Sequence, residues 1–184
     1  VVINSLPSNI NLHLANSTPI RYSQLFHSRS NISYFSNRGT SGIDGCVSTA
    51  AGAATATRKL NVLLLGDMAF TYDSNGLWNS NLPPNLRIIV VDNGGGNIFR
   101  LIDSGPELIK VLPYIEMPHK VNIKGLCDAY GVGYHFAEDL STLKQTLPSF
   151  YEQTEIPQVL HVKTNGRTSA KVFKEYFQQL SNSK

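Results

Sequence analysis

The sequence contains little cysteine, and this scarcity limits the roles that cysteine can have. Its two cysteines, Cys46 and Cys127, do not have the spacing of metal ligands. An unpaired cysteine behaves as a small hydrophobic side chain and is commonly buried. We therefore expect both to be small buried residues of a protein in a reducing compartment.

The sequence also lacks concentrated basic charge and long apolar runs. Lysine and arginine are scattered and the formal net charge is +3, which argues against a nucleic-acid partner. Apolar runs such as Val62–Leu65 are far too short to span a bilayer, and no basic segment followed by an apolar one opens the sequence. We expect a soluble, cytoplasmic protein without a membrane span.

The residues that are present are typical of a globular domain. The chain has 184 residues, of which 41% are hydrophobic and 16% are charged. A chain of this length buries a core without disulfides, and this composition does not indicate disorder. We predict a single domain over residues 1–184.

Apolar segments alternate with segments of helical pattern. The predicted strands are Ile10–Leu14, Ile32–Ser36, Asn61–Leu65, Arg87–Val91, Val132–Phe136 and Gln158–Lys163. The predicted helices are Pro19–Phe26, Ile43–Thr57, Ile123–Tyr130, Leu140–Tyr151 and Ser169–Leu180. This order predicts an α/β protein with a doubly wound, mostly parallel six-stranded sheet and helices on both faces. The proline-containing segment Ile102–Val121 is predicted to be irregular.

Polar residues follow the two most apolar strands directly. Asp67 comes after Asn61–Leu65, and Asn93 with Gly94–Gly96 comes after Arg87–Val91. Ligands of such sheets bind beyond the carboxyl ends of the strands. Carboxylate, amide and carbonyl oxygens suit Mg²⁺, and glycines let the backbone approach a phosphate. The alternative is a helix cap followed by an ordinary tight turn, and from these residues alone both interpretations stay open.

Longer motifs resemble one family of enzymes. Gly66-Asp67 and the turn at Asn93 have the spacing of the diphosphate-binding signature of thiamine diphosphate enzymes. The segments SNRGTSGIDGCVSTAAGAA (Ser36–Ala54), ANSTPIR (Ala15–Arg21) and NGGGNIFRLI (Asn93–Ile102) resemble the 2-succinyl-5-enolpyruvyl-6-hydroxy-3-cyclohexene-1-carboxylate synthases of menaquinone biosynthesis. The similarity covers roughly the whole chain and corresponds to the C-terminal, diphosphate-binding third of such an enzyme. It implies the thiamine-diphosphate-binding fold.

The resemblance implies a metal and a cofactor. The side chains of Asp67 and Asn93 and the carbonyl of Gly95 would bind Mg²⁺ or Mn²⁺, with diphosphate oxygens and water as further ligands. Ile43 would be the apolar wedge that keeps thiamine diphosphate bent. The other expected cofactor contacts are Ser41, Gly42, Gly66, Met68 and Ile98.

The resemblance also implies substrates. The family decarboxylates 2-oxoglutarate and adds the succinyl carbanion to isochorismate. Ser17, Arg21 and Arg38 would bind substrate carboxylates, because arginine pairs with carboxylates through two parallel hydrogen bonds. Phe99 and Ile102 would form the apolar wall of the pocket together with Ile98.

Each of these residues also has a plain structural interpretation. Ser17 has the position of a helix N-cap, Arg21 that of an exposed surface arginine, and Arg38 could belong to an ion pair. Ile98 and Phe99 would be core residues in most proteins. Only the resemblance favours ligand contacts for these residues.

The chain departs from the family pattern at Asp92, where the family usually has asparagine. A second carboxylate beside Asp67 would over-neutralise one Mg²⁺. We therefore expect Asn93 to be the ligand and Asp92 to point away or to accept a hydrogen bond. Gly94 also replaces an asparagine of the family, which removes no ligand.

The resemblance further implies a catalytic glutamate that this chain lacks. In the family it lies on a separate pyrimidine-binding domain, usually of the partner subunit, and Glu107, Glu116 and Glu138 do not have its setting. We expect no catalytic residue here, and a fragment of a longer enzyme rather than a split subunit. The full protein would be a homodimer or tetramer, and the chain alone would be inactive.

Two other classes of protein remain as alternatives. One is another thiamine diphosphate enzyme, such as an acetolactate-synthase-like enzyme or a 2-oxoacid decarboxylase, and the other is a non-catalytic phosphate- or nucleotide-binding module. The histidines are expected to be isolated from any metal site. His13, His135 and His161 fall in predicted strands and are expected to be structural, whereas His119 falls in the predicted irregular segment.

Overall fold

The computed structural model describes residues 1–101 and 106–182. Within these residues, six strands form one sheet in which every neighbouring pair is parallel. The strands are β1 (Ile10–Leu14), β2 (Ile32–Phe35), β3 (Asn61–Gly66), β4 (Leu86–Asp92), β5 (Gly133–Ala137) and β6 (Gln158–Lys163). The predicted six-stranded α/β architecture is confirmed, and the sheet that was expected to be mostly parallel is parallel throughout.

Helices precede, connect and follow the strands. In the described part of the chain they are α1 (Val2–Ser5), α2 (Thr18–Ser23), α3 (Cys46–Thr55), α4 (Asp67–Tyr72), α5 (Pro106–Ile115), α6 (Ile123–Tyr130), α7 (Leu140–Phe150) and α8 (Gly166–Asn182). None of the helices formed by residues 1–101 and 106–182 combines the length and the apolarity that crossing a membrane requires.

The two faces of the sheet bury separate cores, because successive side chains of a strand point to opposite faces. In β3, Leu63 and Leu65 join the core beneath α3, α4 and α6, whereas Val62 and Leu64 join the core beneath α1 and α7. The apolar run Val62–Leu65 of β3 is thus buried on both sides of the sheet. This arrangement is the expected doubly wound architecture.

The strand order places the end of β3 at a change of direction in the sheet. The order is β2-β1-β3-β4-β6-β5, so the chain passes from β1 to β2 on one side and then to β3 on the other. Loops diverge at such a switch point and leave a crevice at the carboxyl edge. Asp67 follows β3 immediately and Asn93 follows β4, so both lie at this edge.

The ends of several helices are as the sequence indicates. Asp139 caps α7 and accepts a hydrogen bond from Thr142 N at 2.8 Å, and Gly131 ends α6 with φ of 66°. Ser17 occupies the N-cap position of α2, but its side chain makes no capping hydrogen bond and its φ is +72°. The capping role considered for Ser17 is therefore wrong.

The prediction of an irregular segment at Ile102–Val121 is wrong for Pro106–Ile115, which forms α5. Proline is well tolerated in the first turn of a helix, where its missing N–H has no partner. Pro113 removes one hydrogen bond near the end of the helix without stopping it. Neither Pro106 nor Pro113 therefore prevents this segment from forming a helix.

Arg87 is a fully buried cation at the amino end of β4. Its guanidinium donates to Phe150 O at 2.6 Å and to Pro84 O at 2.7 Å. It also donates to the carbonyls of Leu86 and Glu152. Phe150 ends α7, so the cation lies at the negative end of a helix, which stabilises the charge.

We expect Arg87→Leu to lower the free energy of unfolding by about 3 kcal/mol, because it leaves several buried carbonyls without donors. Chemical denaturation monitored by circular dichroism measures this loss. Arg58→Leu is the matched control at an exposed position and should change stability by less than about 0.5 kcal/mol. Equal effects of the two substitutions would contradict the assignment.

Candidate functional site

A cavity of about 240 Å³ lies at the carboxyl edge of the sheet, beside the ends of β3 and β4. Its wall brings together most of the residues that the sequence singled out. Those that line it are Ser17, Ile43, Gly66, Asp67, Met68, Asn93, Gly95, Ile98 and Phe99. Segments far apart in the sequence therefore meet at one place.

Four other residues with a predicted binding role are not part of the cavity wall. Ser41 and Gly42 belong to the loop that precedes α3. Arg21 and Arg38 are exposed. Ile102 lies outside the described residues. The binding roles of these residues stay predictions.

Each arginine is bonded to a residue that does line the cavity. Arg38 Nη1 donates to Asn16 Oδ1 at 2.7 Å, and Arg21 Nη1 donates to the carbonyl of Ser17 at 2.7 Å. Asn16 and Ser17 both contribute to the cavity wall. Each guanidinium group is thus connected to the cavity wall through one hydrogen-bonded residue.

Asn16 was not singled out from the sequence, although it is 2% exposed and holds the neighbouring loop. Its Nδ2 donates to Asn37 O at 2.8 Å and to Gly42 O at 2.6 Å. These bonds fix the loop next to Ile43 against the end of β1. The available sequence signal was an asparagine two residues after a predicted strand.

The Asp67 carboxylate joins the ends of β3 and β4. Its Oδ2 accepts hydrogen bonds from Gly94 N and Gly95 N, both at 2.8 Å. Its Oδ1 accepts one from Met68 N at 2.9 Å. Asp67 is only 2% exposed, so these bonds supply what water would otherwise provide.

The turn after β4 needs glycine for its backbone conformation. Gly94 and Gly95 have φ of +83° and +145°, which residues with a side chain rarely adopt. A Cβ atom at Gly95 would also lie 2.5 Å from the carbonyl oxygen of Glu116. Gly96 N donates to that same oxygen at 2.6 Å, so the turn is fitted closely against the end of α5.

Asn97 orients the amide of Asn93. Its Nδ2 donates to Asn93 Oδ1 at 2.7 Å, and its backbone N–H donates to Gly95 O at 3.0 Å. Both acceptors are candidate metal ligands. Asn97 is a further residue that the sequence analysis missed, although its place directly after the glycines was a signal.

Asp92 is held on the side of β6, as expected of a residue that accepts hydrogen bonds. Its Oδ2 accepts from Lys163 Nζ at 2.8 Å and from His161 Nε2 at 2.9 Å, and its Oδ1 accepts from Gly94 N at 2.9 Å. Burial alone would raise the pKa of Asp92, but the bonds from His161 and Lys163 keep that pKa well below its usual range.

The Asp67 carboxyl group shows the opposite shift. Burial, followed by the contact with Asp92, raises the pKa of Asp67 above its usual value. Two carboxyl groups placed this close favour either a proton or a cation between them. A cation at this edge would therefore relieve an electrostatic cost that the fold itself creates.

The expectation that the histidines are isolated is wrong for His119. Its Nε2 lies 3.1 Å from Asp67 Oδ2. One ligand atom from each of Asp67, Asp92 and His119 lies within 4.8 Å of the others. His119 follows α5 along the chain, so the sequence did not reveal its closeness to β3.

The donors at this edge fit a divalent cation that prefers oxygen. Asp67, Asn93 and Gly95 supply a carboxylate, an amide oxygen and a carbonyl, which is the type of ligand that Mg²⁺ takes. The rest of the cavity wall includes the apolar side chains of Ile43, Met68, Ile98, Phe99, Ile115 and Met117. The site therefore suits a ligand with an anionic end and an apolar end.

Comparisons with known proteins identify close relatives. No family model matches the chain. It is 44% identical over 180 residues to the 2-succinyl-5-enolpyruvyl-6-hydroxy-3-cyclohexene-1-carboxylate synthase of Flavobacterium johnsoniae, covering 98% of this chain and 32% of the relative. Proteins of the same name from Bacteroides thetaiotaomicron and Christiangramia forsetii are 41% and 38% identical, over 97% and 96% of this chain and 33% and 30% of the relatives. The chain thus spans about a third of these relatives' length.

One solved structure has a similar fold. It is the thiamine diphosphate-dependent 4-hydroxybenzoylformate decarboxylase of Rhodococcus jostii RHA1. The TM-score is 0.66 at 21% sequence identity, covering 89% of this chain and 31% of that one. At this identity the similarity concerns the fold alone, and it agrees with the expected architecture.

We expect Gly95→Ala to destabilise the protein by about 2 kcal/mol or more, because the backbone there is strained for any residue with a Cβ atom and the new methyl group meets a backbone carbonyl. Gly52→Ala is the control. Gly52 lies in α3 with nothing within 4 Å of an added Cβ, so this substitution should stabilise the helix by about 0.5–1 kcal/mol. Thermal unfolding of both variants measures these opposite changes in stability. If Gly95→Ala is as stable as the unmodified protein, the predicted strain at Gly95 is wrong.

Proposed function

We propose that the chain, which belongs to the family of 2-succinyl-5-enolpyruvyl-6-hydroxy-3-cyclohexene-1-carboxylate synthases and spans about a third of their length, is their metal- and thiamine diphosphate-binding domain. One observation carries this proposal. Asp67, Asn93 and Gly95 line a single cavity whose wall also contains Ile43, Met68 and other apolar side chains. A ligand that carries both a metal-bound diphosphate and an organic ring system matches this combination of oxygen ligands and apolar side chains.

In this proposal Asp67, Asn93 and Gly95 hold Mg²⁺ or Mn²⁺. Asp67 supplies the negative charge, and Asn97 keeps Asn93 Oδ1 oriented by its hydrogen bond of 2.7 Å. Asp92 is engaged by Lys163 and does not add a second free carboxylate. One charged ligand and two neutral ones leave the cation enough positive charge to attract a diphosphate.

The remaining cofactor contacts would come from both sides of the cavity. Gly66 and Met68 lie beside Asp67 at the end of β3. Ile43 and Ile98 line the same cavity and would contact the middle of thiamine diphosphate, with Ser41 and Gly42 on the adjoining loop. When bound, thiamine diphosphate supplies the carbanion chemistry of 2-oxo acid decarboxylation. The residues of this chain would orient it and exclude water.

The proposed substrates of the whole protein are 2-oxoglutarate and isochorismate. Arg21 and Arg38 are anchored to residues of the cavity wall, and they are the cations that we assign to substrate carboxylates. Ser17 and Phe99 line the cavity and would contact the same molecules. Ile102 keeps this role as a proposal from the sequence alone.

The catalytic glutamate is proposed to come from a pyrimidine-binding domain of a partner subunit in a cytoplasmic homodimer or tetramer. Two observations favour an outside source. Among the described residues, no glutamate lines the cavity. Glu116, whose backbone carbonyl contacts the glycine turn, pairs its carboxylate with Arg100. We accordingly propose that residues 1–184 are a single domain of a longer enzyme and are inactive alone.

We expect Asp67→Asn to weaken Mg²⁺-dependent binding of thiamine diphosphate at least about 100-fold. The amide oxygen can still accept hydrogen bonds from the glycine turn, but the negative charge that holds the cation is lost. Calorimetry of thiamine diphosphate with and without Mg²⁺ measures this loss. Asp128→Asn, at an exposed residue paired with Lys124, is the control and should bind normally.

The same titrations separate the alternatives. Binding of a nucleotide without Mg²⁺, and no binding of thiamine diphosphate, would indicate a non-catalytic nucleotide-binding module. Unchanged Mg²⁺ dependence in Asp67→Asn would overturn the metal assignment.

In the full-length enzyme, we expect Arg38→Ala and Arg21→Ala each to raise KM for 2-oxoglutarate about tenfold or more, because each removes a charge-assisted hydrogen bond to a carboxylate. Steady-state kinetics at saturating cofactor test this, with Arg58→Ala as the control. Unaltered KM values for both variants would favour a thiamine diphosphate enzyme of different substrate specificity, such as one related to acetolactate synthase.

A further inference from the structure

We propose that Lys163 sets the balance between cation and diphosphate affinity at this site by neutralising Asp92. This inference rests on the proposed function, because it concerns the same metal and diphosphate. It adds a positioning residue from β6, a strand that contributes no residue to the proposed ligand set.

The register of the sheet creates this ion pair. Asp92 and Lys163 are direct partners in the pairing of β4 with β6, and Val90 is the partner of His161. His161 and Lys163 are two residues apart, so their side chains point to the same face. Both reach Asp92 Oδ2, at 2.9 Å and 2.8 Å.

Further bonds fix the position of Asp92. Its backbone carbonyl accepts from Thr164 N at 2.7 Å and from Thr164 Oγ1 at 3.1 Å. Its Oδ1 accepts from Gly94 N at 2.9 Å, and this same N–H is shared with Asp67 Oδ2. Turning the Asp92 carboxylate toward a cation would break bonds on both of its oxygens.

His161 is itself held in place. Its Nδ1 lies 2.9 Å from the hydroxyl oxygen of Tyr134, and its ring packs against Phe136 with centroids 5.1 Å apart. The imidazole can therefore orient Asp92 from a fixed position. Lys163 brings the permanent positive charge.

The consequence is electrostatic. Ligand atoms of Asp92 and Asp67 lie within 4.8 Å of each other. Without Lys163, a second carboxylate with no permanently charged partner would lie beside the site, attracting a divalent cation more strongly and repelling a diphosphate. The Lys163 side chain is 49% exposed, so solvent and salt reduce the effect to a moderate size.

The experiment uses the full-length protein with two probes. Mn²⁺ alone is titrated and followed by electron paramagnetic resonance, and inorganic pyrophosphate is titrated by calorimetry at saturating Mg²⁺. In Lys163→Met, we expect the Kd of Mn²⁺ to fall about threefold to tenfold and the Kd of pyrophosphate to rise about threefold to tenfold. Both shifts should shrink at high salt.

Two further variants keep the inference testable if Lys163→Met is unstable. Lys163→Arg keeps the charge and should bind both probes as the unmodified protein does. Asp92→Asn combined with Lys163→Met removes both charges and should restore both affinities. Lys124→Met, which removes an exposed lysine paired with Asp128, is the control for losing a lysine elsewhere.

The outcomes are distinct. Opposite shifts that Asp92→Asn reverses support the inference. Shifts of both affinities in the same direction, or no shifts, overturn it and leave the proposed function standing. If the unmodified protein shows no Mn²⁺ binding that Asp67→Asn weakens, the proposed function itself fails.

Discussion

The site depends on the hydrogen bonds that the Asp67 carboxylate accepts from the amides of Gly94 and Gly95, each at 2.8 Å. They tie the end of one central strand to the turn that follows the next. The remaining parts are arranged around this tie. His119 approaches the same oxygen at 3.1 Å, and the turn packs against the Glu116 carbonyl. An apolar strand that stops at an aspartate and another that stops at a glycine-rich turn are therefore parts of one structure.

Burying two carboxylates next to each other is electrostatically unfavourable. Asp92 and Asp67 differ in how many positively charged partners offset this. Asp92 is compensated from within the protein by Lys163 and His161. Asp67 receives backbone N–H groups and His119 but no permanently charged partner among the described residues. The uneven compensation leaves negative charge at Asp67, beside the cavity, where a cation can be bound.

Sequence alone predicted much of this, for identifiable reasons. The strands were found because β3 and β4 are apolar at nearly every position, and Asp67 and Asn93 because they directly follow those strands. Short-range patterns did not reveal contacts made by distant segments. His119 is 52 residues from Asp67 in the sequence and Lys163 is 71 from Asp92, so neither pairing has a local signature. The helix α5 was missed because Pro106 lies in its first turn, where a helix tolerates proline, and because Pro113 lies near its end.

The central strand β4 has a different role at each end. At its amino end Arg87 hydrogen-bonds to the end of α7, and its carboxyl-terminal residue, Asp92, is followed directly by Asn93, which lines the cavity. Four residues, Ile88–Val91, lie between Arg87 and Asp92, and each pairs with both neighbouring strands. Substitutions at the amino end of β4 are therefore expected to change mainly the stability of the protein, and substitutions at its carboxyl end mainly the binding properties of the cavity. Because the two ends are separate, stability and ligand binding can change independently within a single strand, both in evolution and in protein engineering.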